Sequence, residues 1–104
     1  MTLRSWLQTR TPPPPARLAN RIADVLGEPE VVAETNRASA CLDAAEALLS
    51  DLLSRRSVGR ESALDLLTVD ALATYAFEAA SECPETIPQR ATDAMRRFGA
   101  LVRQ

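Results

Sequence analysis

The stretch ESALDLLTVDALATYAFEAASEC, residues 61–83, contains no glycine or proline and ends where Pro84 breaks it. On a helix advancing about 100° per residue, its apolar side chains cover far more than one stripe. Leu64, Leu72, Tyr75 and Ala79 take one side; Leu66, Val69, Ala73, Ala76, Phe77 and Ala80 continue round to the other. Asp70, Thr74, Glu78 and Ser81 form a narrow polar seam. A helix that is apolar over most of its circumference is surrounded by protein. The pattern therefore predicts the central helix of a small all-α domain, with Thr68 and Asp70 offering a second start inside it.

The rest of the chain supplies helices to surround it. Leu3, Trp6 and Leu7 have the spacing of a short helical turn after Thr2. The run TPPPP, residues 11–15, cannot continue a helix and enforces an extended connector. The next helix reads 14–26, with Leu18, Ile22, Val25 and Leu26 as its stripe and Gly27 as its stop. A long amphipathic pattern covers 29–56, with a weak point at Thr35 and Asn36. Its buried face holds Ala38, Cys41, Leu42, Ala45, Leu48, Leu49, Leu52 and Leu53. Ser57, Val58 and Gly59 make the turn into 61–83. A last helix over 87–103 places Ala91, Ala94, Met95, Phe98, Leu101 and Val102 together. No alternating strand pattern and no internal repeat is present. The expected fold is all-α: a compact bundle of four main helices, about 14–26, 29–56, 61–83 and 87–103, with an N-terminal turn and a polyproline connector. It forms one domain over 1–104, of which 1–15 is an N-terminal segment and 16–104 the bundle.

Composition narrows the chemistry. With 104 residues and 46% hydrophobic content, one core can form without a disulfide or metal. All 12 basic residues are arginine, as GC-rich coding of the bacterial kind produces, and there is no histidine. Arginine stays charged, so no basic side chain here serves as a neutral nucleophile or general base. The commonest metal ligand and pH switch is missing as well. The net charge of −2 argues against broad nucleic-acid binding. No apolar run has the length of a membrane span. The start MTLRSWLQTR lacks the apolar region of an export signal. These features lead to an expected cytoplasmic location and reduced thiols at Cys41 and Cys83.

No catalytic or metal-ligand motif stands out, and no cofactor is expected. Cys83-Pro84 is a dipeptide seen in some haem-responsive proteins, but here it reads as a thiol at a helix end followed by the proline that stops it. The glutamates Glu34, Glu46, Glu78 and Glu82 fall on polar faces, away from the inward positions of a di-metal bundle. Asp65 is the acid best placed on an apolar arc, and the positive end of its helix accounts for it. Arg55, Arg56 and Arg60 cluster at a helix–turn–helix junction, a place where basic residues can reach phosphates. Trp6 has two roles open to it, core lid or exposed anchor. A small-residue line, Ala33, Ala40 and Ala47, runs opposite the leucine face of helix 29–56 and could meet another chain. The expected function is a non-enzymatic protein–protein interaction or assembly module, through a protein partner or a homodimer. The alternative is a DNA-associated regulator using the Arg55–Arg60 junction.

Overall fold

A computed structural model of the protein describes residues 2–27, 31–56 and 59–103. It is all-α, as the periodicity predicts. Five helices follow one another among the described residues: α1 (Leu3–Leu7), α2 (Ala16–Leu26), α3 (Arg37–Arg55), α4 (Arg60–Ser81) and α5 (Ile87–Val102). Two single 3-10 turns, Glu34–Asn36 and Pro84–Thr86, lead into α3 and α5. The one β pairing among the described residues is an isolated bridge between Thr2 and Val31.

Local chemistry explains the boundaries. α2 starts at Ala16 rather than Pro14, because a residue before proline is pushed out of the helical region. Pro14 precedes Pro15 and is held out of the helix in this way; Pro15, at φ −55° and ψ 152°, is the extended residue that caps the start of α2. Gly27 stops α2 at φ 71°, a conformation that glycine adopts without strain. The pattern over 29–56 is shorter as a helix than the sequence implies. Ala33 is extended, the 3-10 turn spans the weak point at Thr35 and Asn36, and α3 begins only at Arg37. Val31 and Val32 are β-branched and poor helix formers. Pro29, Ser57 and Val58 lie outside the described residues. α4 is one continuous helix through Thr68. Gly59, at φ 132°, precedes it, and Pro84 keeps Cys83 out of it.

α3 and α4 form the most extensive helix pair, and α2 packs across α4. One core draws on all five helices. It joins Leu3, Trp6 and Leu7 to Ile22, to Cys41, Leu42 and Ala45, to Leu72, Tyr75 and Ala79, and to Ala94. The radius of gyration, 13.6 Å, is that of a compact domain of this length.

α4 corrects the expectation of all-round burial. Its buried residues are Ser62, Asp65, Thr68, Leu72, Tyr75, Ala76, Ala79 and Ala80, a single stripe. Leu66, Leu67 and Phe77 are exposed. A helix of this length spans about 33 Å, and the neighbouring helices cover only one side of it. The seam of Asp70, Thr74, Glu78 and Ser81 is exposed as expected.

Candidate functional site

Three polar clusters hold the bundle together, and each takes a residue the sequence singled out. The first centres on Asp65, which is buried on the inner face of α4. Its carboxylate accepts from Arg21 Nε of α2 at 2.6 Å and from Arg55 Nη2 of α3 at 3.0 Å. The hydrogen bond from Arg21 holds this carboxyl below the ordinary carboxylate range; burial opposes that shift and Arg55 reinforces it. The helix dipole alone therefore does not account for Asp65. It is the hub of a three-helix ion pair, since a buried charge needs partners. Arg55 also pairs with Asp51 at 2.9 Å, so it is occupied within the fold. Arg56 closes α3 in the left-handed region at φ 50°, and Arg60 opens α4; both are exposed.

The second cluster surrounds Trp6. Of its two possible roles the structure takes the core lid, with only 3% of the residue exposed. The indole Nε1 donates to Glu82 Oε1 at 3.0 Å, and the Arg10 guanidinium lies 4.3 Å from the ring centroid. Arg37 lies 3.5 Å from the same carboxylate. Arg4 donates to the carbonyls of Ala23 and Gly27, capping α2. These bonds dock a five-residue helix that could not persist alone. The proline connector passes over a cavity of about 280 Å³, lined by Leu7, Pro13, Pro14, Ile22, Leu26 and Tyr75 among others.

The third cluster attaches α5 to α3. Arg97 donates to Glu46 Oε2 at 2.6 Å and Asp43 Oδ1 at 2.7 Å, and both bonds push its pKa up further. Arg90 donates to Ser39 Oγ at 2.8 Å and to the Thr35 carbonyl. Arginines thus do much of the docking, and the apolar face of α5 is only partly used. Ala94 is its one buried residue.

Large apolar residues remain exposed on α4 and on α5, as do Val31 and, against the expected buried face of 29–56, Leu53, which turns off the covered stripe of α3. On α4, Leu66, Asp70, Ala73 and Phe77 fall within about 60° of one another at helical spacing. Leu66 is 56% exposed and Phe77 61%. On α5, Met95, Gly99 and Val102 share a face in the same way, with Met95 76% and Val102 78% exposed. Phe77 also borders a groove of about 540 Å³ between α3, α4 and α5, floored by Ala38, Leu42, Ala76, Ala80 and Ala94 and rimmed by Arg90, Asp93 and Arg96. Gly99 has no need of its glycine within the chain. A Cβ there would meet only the Arg103 guanidinium, at an ordinary 3.9 Å. Glycine inside a helix costs about 0.5–1 kcal/mol relative to alanine.

No known protein family, curated protein or solved structure matches this chain. The small-residue line expected to meet another chain does not hold together. Ala33 precedes the helix, Ala40 packs partly against the core, and Ala47 alone stands exposed on α3. The surface on α4 and α5 was not singled out from sequence, although the mid-helix glycine between two large apolar residues was a usable signal. Among the described residues no cluster of metal-ligating side chains occurs, and no helix is long and apolar enough to cross a membrane.

The two cysteines are free and differ in environment. Cys41 is fully buried, and burial pushes its thiol up to about 12. Cys83 is partly exposed after α4. A thiol reagent at about pH 8 is expected to modify the accessible Cys83 in the native protein and Cys41 only on unfolding, because Cys41 is enclosed and burial keeps its thiol protonated. Loss of the fast phase in Cys83→Ser, with its persistence in Cys41→Ser, checks this. Equal reactivity of both thiols in the folded protein would contradict the packing described.

Proposed function

We propose that this protein is a non-enzymatic protein–protein interaction or assembly module of the cytoplasm, and that the outward apolar surface of α4 and α5 is its contact face. The observation that carries this reading is the exposure of Leu66, Phe77, Met95 and Val102 in ordered lines on two neighbouring helices. Single exposed apolar residues are ordinary on any protein. Aligned ones along a helix, with Phe77 at the edge of an apolar-floored groove, have the form of a helix-docking surface. Phe77 and Met95 supply the aromatic and flexible thioether side chains enriched in such contacts.

The test compares retention of proteins by the immobilised wild type and by a Phe77→Asp/Met95→Asp variant. Both positions are exposed, so the variant is expected to keep its helical circular dichroism and to lose the proteins that the wild type retains. An identical retained set for both would refute the assignment of this face. The alternative, a DNA-associated regulator at the Arg55–Arg60 junction, has only Arg56 and Arg60 to work with, because Arg55 is taken by Asp51 and Asp65.

A further inference from the structure

We propose that the groove between α3, α4 and α5 binds a small amphipathic anion, an aliphatic carboxylate whose chain lies on the groove floor and whose acid head meets Arg90 and Arg96. This site lies beyond the interaction reading above and does not depend on it.

Small side chains make the groove. Its volume, about 540 Å³, falls within the roughly 300–1,000 Å³ of small-molecule sites. The floor is Ala38, Leu42, Ala76, Ala80 and Ala94, with Phe77 at the edge. The alanines come from three different helices, and all five floor residues are buried. Larger aliphatic side chains there would fill the space and bury more apolar area, at about 25 cal/mol per Å². The alanines leave a hollow instead, and an apolar hollow suits an aliphatic body.

Charge fixes the sign of the head group. Arg90 is half-buried on the rim and is held there by three neutral acceptors: Thr86 Oγ1 at 2.9 Å, Ser39 Oγ at 2.8 Å and the Thr35 carbonyl. None of these balances its charge. Arg96, exposed on the same rim, and Arg90 take part in none of the ion pairs among the described residues. Asp93, an acid that lines the groove, faces Arg97 at 3.7 Å. A cation removed from water needs a counter-charge, and a carboxylate on a guanidinium makes a strong charge-assisted hydrogen bond. The helices add the same sign. α3 and α5 bring their N-terminal turns to the groove, at Ala38 and Ser39 and at Gln89 and Arg90, and neither first turn holds an acid. These two positive ends stand against the single negative end of α4, at Ala80.

Octanoate is the probe, titrated at neutral pH into the isotope-labelled full chain and followed through its amide NMR shifts. Octylammonium, 1-octanol and acetate are the controls. Saturable shifts are expected at Ala38, Ala76, Ala80 and Ala94. The dissociation constant is expected to be at least about tenfold lower for octanoate than for octylammonium or octanol, which lack the negative head, and than for acetate, which lacks the chain. Arg96→Glu changes an exposed side chain outside the ion pairs. It is expected to weaken octanoate about fivefold or more and to narrow the gap to octylammonium, a change of preference that a folding defect does not produce. Equal affinity for octanoate and octylammonium would overturn the proposal, as would octanoate shifts confined to Met95 and Val102 or the absence of saturable shifts. Groove shifts that move with protein concentration alone would also overturn it, by placing a second copy of the chain in the groove.

Discussion

Replacing Asp65 with asparagine is expected to lower stability at neutral pH by about 2 kcal/mol, a loss of roughly 10 °C in melting temperature for a domain of this size. The carboxylate is 6% exposed, and it receives 2.6 Å and 3.0 Å bonds from two arginines on different helices. Removing one member of a fully buried pair typically costs about 3–5 kcal/mol. The side chains of Arg21 and Arg55 are 33% and 39% exposed, so both can recover hydration and the expected loss is smaller. The pH dependence separates this electrostatic effect from a packing defect. Asp65 has a folded pKa below its unfolded value of about 4. Its stabilisation is therefore complete above about pH 4 and is lost as pH falls through the folded pKa, because the unfolded chain takes up the proton first. The gap between wild type and Asp65→Asn is expected to be full at neutral pH and to shrink in acid. Urea unfolding at several pH values measures it; a gap constant into acid would assign the loss to packing instead.

The elements were legible in the sequence because period and punctuation agree. Pro84, Gly27, Gly59 and the proline run each end or start a helix close to the expected place. Where local signals conflicted, the boundary moved: the apolar pattern before Asn36 carries helical period, but β-branched Val31 and Val32 and an extended Ala33 precede α3. Inside and outside were harder to read. The composition of residues 61–83 is apolar nearly all round, and composition cannot say how many neighbours a chain of this length can provide. Leu66 and Phe77 look as buried in a helical projection as Leu72, yet only Leu72 is enclosed.

Site residues divide along the same line. Asp65 was visible as a charge on an apolar arc, but its partners lie 44 and 10 residues away in sequence, and only the crossing of α2 and α3 brings them together. Arg55 read as one of three cations clustered at the junction, and its pairing with Asp65 was hidden for the same reason. The α4–α5 surface depends on α5 being attached through Arg90 and Arg97, which leaves its apolar face partly open. A helical projection assigns that whole face to the core.

Trp6→Ala is expected to cost about 3–5 kcal/mol, the range for truncating a buried large aromatic residue. For a domain whose total stability is of order 5–15 kcal/mol, that is a large fraction. α1 has only five residues and no helical stability of its own. Leu3, Trp6 and Leu7 hold it down, and the indole also anchors Glu82, to which Arg10 and Arg37 are drawn at 3.8 Å and 3.5 Å. Loss of the ring is expected to release α1 and, with it, the Arg4 cap on the last carbonyls of α2. Trp6→Phe separates the two contributions. It keeps an aromatic ring in the site and loses the 3.0 Å bond to Glu82, at an expected cost of about 1–2 kcal/mol. Denaturant unfolding ranks the three proteins, and amide exchange at residues 3–7 locates the change. The truncation should bring those amides to the exchange rate of an unfolded chain while α3 and α4 remain protected. A Trp6→Ala protein as stable as the wild type would mean that α1 lies on the bundle without supporting it.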